Sequence, residues 1–358
     1  MTAVDFTSAC YLGLHHPSRE LGPWDRYTTG APAALTEPAG AHRVAAEIAV
    51  LQGTQRALLA RSTLHAFVDC MAVLRGSDHI FVIDSASYPI AHWVFDNSPR
   101  RILFQHHNVN HLRRALAKSL WGRHRPIIVT DGLCAGCGVL APLEQYRLVA
   151  RATGGVVLID DTQALGLIGH TPTRRDPYGR GGGGSLATLA RVTDEMICVS
   201  SLAKGLGVPV ASIAGPAAFI TAVEWLGPSR IHCSAPPISD IRAAAAGLLV
   251  NRSRGDRLRR RLAALLSRWR AISSELGLTT MGGLSPVQRF DVPRSAPNAV
   301  LRSLAEQDIR AIITRPGCAD RPMITIIMTT DHQVSDLDRL GAALHRHIHA
   351  NHRPAATS

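Results

Sequence analysis

Lysine is nearly absent from this chain. Of its 39 basic residues only Lys118 and Lys204 are lysine, and all the others are arginine. Arginine serves wherever charge or hydrogen bonds are wanted, but it stays protonated and cannot form an imine. Lys118, in Arg113-Arg114-Ala115-Leu116-Ala117-Lys118, reads as part of a solvated helix face. Lys204 lies in Ser200-Ser201-Leu202-Ala203-Lys204-Gly205-Leu206-Gly207 and follows the strand-like run Met196–Ser200. A strand end is where α/β enzymes place chemistry. An amine desolvated there can lose its proton and attack an aldehyde, whereas the plain alternative is a solvated loop lysine.

Other absences narrow the class. The start, Met1-Thr2-Ala3-Val4-Asp5-Phe6, has no basic-then-apolar layout of a signal peptide. The longest uncharged stretch, Gly205 to Val223, is broken by Gly207, Pro209, Gly215 and Pro216, so no membrane span is expected. A soluble cytoplasmic protein is the expectation. Seven cysteines spread along 358 residues do not form a disulfide framework. Cys134-Ala135-Gly136-Cys137 is a redox pair or half a zinc site; no second such pair or nearby His pair completes it, and no metal is expected. His345, His347, His349 and His352 read as the C-terminus of a last helix, where positive charge is favourable.

The net charge of +12 raises the question of nucleic acid. Its densest source runs from Arg252 to Arg270, where Leu258, Leu262, Leu265, Leu266, Trp269 and Ile272 recur at helical spacing. The arginines there read as the wet side of an amphipathic helix. With no zinc finger, helix-turn-helix signature or aromatic-interleaved basic patch, no nucleic-acid partner is expected.

Strand-like and helix-like segments alternate from Gln55 to Gly215. Arg56–Ala60, His79–Ile83, Arg101–Gln105, Pro126–Thr130, Val156–Ile159, Met196–Ser200 and Val210–Ala214 read as strands. Several are continuous apolar runs, as buried parallel strands require. After Pro236-Pro237 a long helical pattern, Ile238 to Leu276, leads into short β-like pieces and a last helix near Val334–His349. The expected organisation is an α/β protein: an N-terminal arm over 1–40, a three-layer α/β domain over 41–235 and a smaller α+β domain over 236–358. Gly179-Arg180-Gly181-Gly182-Gly183-Gly184-Ser185 reads as a mobile loop.

A second segment carries chemistry. Val156-Val157-Leu158-Ile159-Asp160-Asp161 is a strand ending in two carboxylates, which places at least one at the carboxyl edge of a sheet. A nucleotide ribose could take such a residue, but no GxGxxG opens a βαβ unit upstream. The other reading pairs a carboxylate with the ring nitrogen of a cofactor held by Lys204.

Asp160-Asp161-Thr162-Gln163-Ala164-Leu165-Gly166-Leu167-Ile168-Gly169, followed by Ser201-Leu202-Ala203-Lys204-Gly205-Leu206-Gly207, resembles the α-oxoamine synthases, fold-type I pyridoxal-phosphate (PLP) transferases. Tyr11-Leu12-Gly13-Leu14, Thr130-Asp131-Gly132 with Ala141-Pro142-Leu143, Ser234-Ala235-Pro236-Pro237, and Asp331-His332-Gln333 with Asp336-Leu337-Asp338 extend the resemblance over nearly the whole chain. It implies that Lys204 holds PLP and acts as acid and base at Cα, and that Asp160 keeps the pyridine nitrogen protonated. Gln163 stands where the family has a His on the ring hydroxyl. Ser201, with the turn Ser62-Thr63-Leu64, takes the phosphate. A homodimer is implied, with Ser234 reaching the partner's site.

Three departures from the family pattern stand out. Ser85 replaces the His that stacks on the ring, with His65 or Tyr88 as substitutes. Ala135 replaces a pocket Ser. Thr325 replaces the Arg that grips a substrate carboxylate, so Arg315 or Arg321 would have to reach in, or the substrate is not an ordinary α-amino acid. The implied reaction joins an amino acid or related amine to an acyl thioester. An aminotransferase or lyase acting on an atypical amine, and a non-catalytic binding protein of the same fold, are the alternatives.

Overall fold

The computed structural model describes residues 3–76, 78–96, 100–119, 124–319 and 321–350. Met1, Thr2 and His352 of the terminal segments discussed above lie outside the described residues. The chain opens with a short strand β1 (Val4–Asp5) and a long irregular arm that reaches helix α1 (Ala41–Gln52). Strands and helices then alternate: β2 (Arg56–Ala60), α2 (Thr63–Leu74), β3 (His79–Asp84), α3 (Pro89–Phe95), β4 (Arg101–Phe104), α4 (Val109–Ser119), β5 (Arg125–Asp131), α5 (Leu143–Thr153) and β6 (Val156–Asp160). A long irregular connection leads to β7 (Met196–Ser201) and β8 (Ala211–Gly215), then α6 (Ala217–Leu226) and α7 (Pro228–His232).

These strands form one seven-stranded sheet in the order β2-β8-β7-β6-β5-β3-β4. Every neighbouring pair is parallel except those made by β8, which runs antiparallel to both β2 and β7. The apolar runs explain the sheet's burial on both faces. In β6, Leu158 packs with Phe67, Phe81 and Ile213 on one side, while Val157 and Ile159 pack with Leu112, Tyr146 and Ile128 on the other. Side chains alternate along a strand, so a continuous apolar run feeds two cores at once. Each fully buried aliphatic residue contributes about 1.5–3 kcal/mol.

The 38-residue helix α8 (Ile238–Glu275) carries the chain to a second layer system. There follow β9 (Thr279–Met281), β10 (Val287–Asp291), α9 (Pro297–Ala305), β11 (Ile309–Arg310), β12 (Ile312–Thr314), β13 (Met323–Ile327) and α10 (Val334–Ala350). An antiparallel sheet of order β12-β13-β10-β9 results, and β11 pairs in parallel with β1 at the start of the chain. One continuous apolar cluster joins Phe6 and Tyr11 of the arm, Ile48 of α1, Leu206, Trp269 of α8 and Ile326. The small sheet therefore shares a core with the arm and the large sheet's helices.

Two expectations need correction. Arg259 is not on the wet side of α8 but fully buried. Its Nη1 donates to the Gly166 carbonyl at 2.8 Å and to Asn251 Oδ1 at 2.7 Å, and its Nη2 to Asp256 Oδ1 at 2.6 Å. The helical period places the residue inward, and these acceptors satisfy its charge there. The glycine-rich stretch is likewise not a mobile surface loop. Residues 182–187 are buried, and Gly184 N–H donates to the Ile168 carbonyl at 2.8 Å. Gly184 has φ +86°, and a Cβ there would stand 1.9 Å from Asp161 Oδ2. Its glycines let the backbone press against Asp161 and α8, which composition alone does not distinguish from flexibility.

Replacing Arg259→Ala is expected to leave the Gly166 carbonyl and Asn251 without their donor, lowering stability by about 2–4 kcal/mol. A reduced denaturant midpoint with an unchanged m-value is the expected reading.

Candidate active site

The parallel strands end along one edge, and their last residues carry the charges of the site. Asp131 closes β5, Asp160 closes β6, and the two are opposite each other in the ladder register. Past the end of β7 the chain makes a tight turn, pinned by Leu202 N–H to the Val210 carbonyl at 2.8 Å and Leu206 N–H to the Leu202 carbonyl at 3.1 Å. Leu202 and Leu206 are fully buried, so the turn is anchored from below and presents Lys204 between them. A cavity of about 190 Å³ opens there, lined by Lys204, Asp160, Asp131, Gln163 and Ser201. Thr63, Tyr88, Ile90, Ala135 and Thr162 complete its wall.

The electrostatics follow from burial. Desolvation pulls the Lys204 amine below its ordinary value; the Asp160 charge opposes this and Arg289 reinforces it. Burial raises the Asp160 carboxyl, while Thr162, whose N–H donates to Oδ1 at 3.0 Å, and Lys204 hold it back. Asp131 is pushed well above the carboxylate range by burial, and the adjacent Asp160 adds to that. Its Oδ1 accepts the Tyr88 N–H at 3.0 Å. Asp161 points away from the cavity, accepts the Ser185 N–H at 2.9 Å, and is raised by burial to about 7. Of the two carboxylates at the end of β6, Asp160 is the one that faces the cavity.

Of the residues singled out in the sequence, Lys204, Asp160, Gln163, Ser201 and Thr63 meet at this cavity. Ser62 caps α2, its hydroxyl accepting the His65 N–H at 3.4 Å. The first-turn amides of Thr63 and Leu64 have no acceptor within the helix. The Leu64 side chain itself is exposed. Ser85 is exposed outside the cavity wall, while Tyr88 lies in that wall. Ser234 sits apart, in a bridge with Pro32 of the arm. Thr325 is buried in β13, with its hydroxyl 2.7 Å from that of Thr314. Arg315 is exposed, and Arg321 is paired with Asp291 at 2.5 Å.

Sequence reasoning passed over three residues at this site. Tyr11, from the arm, is fully buried; its hydroxyl donates to Gln163 Oε1 and its ring lies 5.9 Å from Lys204 Nζ. Asp131 was visible only as part of a strand-end motif. Arg289 lies on β10 directly opposite Thr325, and it is buried. Its Nε donates to Thr314 Oγ1 at 3.0 Å. Arg289 and Thr325 thus face each other across the β10–β13 pair, a neighbourhood that spacing along one strand does not reveal.

No family model matches the chain. Solved structures do. It aligns with a serine palmitoyltransferase from S. paucimobilis, solved with PLP and myriocin bound, at TM-score 0.85 and 15% identity over 97% of this chain and 88% of that one. A serine palmitoyltransferase from Sphingomonas wittichii aligns at TM-score 0.82 and 15% identity, with the same coverage. An 8-amino-7-oxononanoate synthase from Francisella tularensis aligns at TM-score 0.78 and 16% identity over 98% and 99% of the two chains. The fold is that of fold-type I PLP-dependent transferases. Its large mostly parallel sheet and smaller antiparallel sheet agree with the α/β organisation read from the sequence pattern.

Because Arg289 depresses the Lys204 amine, Arg289→Gln is expected to move the pH midpoint of Lys204's reaction with an aldehyde upward. Borohydride trapping across pH, with the label mapped to the Lys204 peptide, measures that midpoint.

Proposed function

We propose that this chain is a PLP-dependent transferase of the α-oxoamine synthase type, joining an amino acid or related amine to an acyl thioester. The observation that carries the reading is the partly desolvated Lys204 amine sharing one cavity with the buried Asp160. The donor set suits PLP. Among the described residues, the cavity is lined by two buried carboxylates, Asp131 and Asp160, and by one cationic residue, Lys204. A protonated pyridine nitrogen against Asp160 would supply a second positive charge where burial makes an unpaired carboxylate costly.

When bound, PLP supplies an electron sink for a carbanion at the substrate's Cα. Lys204 would hold the cofactor covalently through its amine and, once that amine is freed, carry a proton to and from Cα. Asp160 would keep the ring nitrogen protonated. The Tyr11 hydroxyl occupies Gln163 Oε1, which leaves the Gln163 amide N–H groups to donate to the ring hydroxyl. Ser201 and the first-turn amides at Thr63 and Leu64, with Ser62 capping that turn, would take the phosphate. Tyr88 would cover the ring face in place of Ser85. Arg289 is the buried guanidinium proposed to attract the substrate carboxylate in place of Thr325.

A homodimer in which Ser234 serves the partner's cavity belongs to the same proposal. The exposed Trp225 and Leu226 on α6 and Ile231 on α7 offer apolar surface near that segment. Among the described residues no helix is long and apolar enough to cross a membrane. The seven cysteines are free thiols, and a reducing cytoplasmic compartment is proposed on that ground.

The test is a visible spectrum of the protein with PLP, then borohydride reduction and peptide mapping. A pyridoxyl label on Lys204, lost in a folded Lys204→Ala variant, is expected; a label retained in that variant would overturn the site. Asp160→Asn is expected to keep PLP bound but lower kcat at least a hundredfold, about 2.7 kcal/mol of transition-state stabilisation. Release of free thiol from an acyl thioester reports the synthase reaction, and pyridoxamine phosphate formation would show amino transfer instead.

A further inference from the structure

Beside the cavity lies a second group of reactive side chains that the proposed reaction does not use. Cys134 and Cys137 follow β5, His106 follows β4, and Cys318 lies between β12 and β13. The metal-binding atoms of His106, Cys134 and Cys137 all lie within 4.8 Å of one another. His106 Nε2 stands 3.4 Å from Cys137 Sγ, and Cys318 Sγ stands 4.0 Å from Cys134 Sγ. With zinc–sulfur bonds of about 2.3 Å and zinc–nitrogen bonds of about 2.0–2.1 Å, tetrahedral geometry separates two sulfurs by about 3.8 Å and sulfur from nitrogen by about 3.6 Å. The His106–Cys137 and Cys134–Cys318 spacings are close to those values; Cys318 stands outside the group of three ligand atoms within 4.8 Å of one another and would close in on the ion as the fourth.

We propose that His106, Cys134, Cys137 and Cys318 bind a zinc ion in a structural site of three thiolates and one imidazole, tying the cavity wall to the small sheet. Three independent features of the surroundings are built for this. First, the N–H groups of Gly136 and Cys137 both donate to Cys134 Sγ, at 3.3 and 3.4 Å. That turn points backbone dipoles at a sulfur, which favours its thiolate. Second, His106 Nδ1 lies 2.8 Å from Asp84 Oδ1. The Asp84 carboxylate is buried and also accepts N–H groups of Ala86 and His107, at 2.9 and 3.0 Å. A carboxylate so fixed holds the Nδ1–H tautomer and aims the Nε2 lone pair at the sulfurs, as in carboxylate–histidine–zinc triads.

Third, the charge is compensated. Three thiolates around a dication leave one negative charge, and the buried Arg289 donates from Nη1 to the Gly136 carbonyl at 2.8 Å. Among the described residues, no carboxylate pairs with Arg289. Close approach is also secured, since a Cβ at Gly136 would stand 2.3 Å from Cys318 Sγ. A disulfide between any two of these cysteines would leave a third thiol and the oriented imidazole without a role, whereas a tetrahedral cation uses all four groups. The proposal departs from the expectation of no metal, because His106 and Cys318 come to the Cys134–Cys137 turn from segments about 30 and 180 residues away in sequence.

Ala135, between the two turn cysteines, is part of the cavity wall. The ion would therefore hold that wall against the β12–β13 connection.

The experiment uses the full chain purified without chelators, with metal content measured by mass spectrometry and the metal-free protein titrated with Co²⁺. About one zinc per chain is expected, together with thiolate-to-cobalt charge-transfer absorbance and intense tetrahedral visible bands. Cys137→Ser is expected to abolish stoichiometric zinc, and Cys318→Ser to weaken retention at least tenfold. The cobalt spectrum of the unaltered chain keeps the proposal falsifiable should either variant misfold. No stoichiometric metal with a featureless cobalt spectrum would overturn it. So would bound iron with acid-labile sulfide, a Cys134–Cys318 disulfide in a non-reduced peptide map, or an unchanged cobalt spectrum in folded Cys137→Ser. The pyridoxyl label on Lys204 is read separately, so failure of either proposal is distinguishable from failure of the other.

Discussion

Desolvation of the charges at the carboxyl edge of the large sheet is the constraint around which the rest of the structure is arranged. Lys204, Asp160 and Asp131 line one cavity, and the arm meets it where the Tyr11 N–H donates to the Lys204 carbonyl at 3.1 Å. In water an amine and two carboxylates would ionise independently. Here burial lowers the amine, raises the carboxylates, and makes the state of each depend on its neighbours. A site of that kind has to be enclosed by rigid elements, and the fold supplies them from distant segments. Tyr11 comes from the arm, Gln163 from the end of β6, and Arg289 from the small sheet.

The shared core follows from the same need. If the small sheet were merely tethered by α8, Arg289 would have no fixed relation to Lys204. Instead a continuous apolar cluster links the arm, α1, α8 and β13. Two buried polar ties accompany it: Arg259 joins α8 to the turn at Gly166, and the glycine-rich stretch clasps Asp161. The metal site proposed above would be a further tie across the same seam. Both use buried polar chemistry to hold one geometry, at sites where apolar packing alone would leave sliding freedom.

The likeness to serine palmitoyltransferases and to 8-amino-7-oxononanoate synthase, at 15–16% identity, shows how much side-chain change this architecture accepts. The alignment covers almost the whole chain, so divergence lies in side chains and not in the addition or loss of layers. Under the proposal above, Arg289 facing Thr325 across the β10–β13 pair would be an example. A charge can move to the neighbouring strand of an antiparallel pair and still address the same space, because facing residues share one side of the sheet.

The sequence by itself determined the strands of the large sheet, nearly to the residue, because continuous apolar runs bounded by turn residues have few other uses in a chain of this size. It also determined that Lys204 and Asp160 belong at strand ends, since a chain otherwise stripped of lysine keeps one beside a buried strand. Periodicity alone was silent on Arg259, because a long side chain on a helix face looks solvated until its acceptors are known. Composition misjudged the glycine-rich stretch for a related reason: glycine permits both mobility and close packing. Only the tertiary structure decided which of Asp160 and Asp161 faces the cavity. It alone brought Tyr11 and Arg289 to Lys204, and gathered His106 and Cys318 around the Cys134–Cys137 turn. Those groupings arise from the order of strands in the sheet and the path of α8, which set distances between segments that no local pattern encodes.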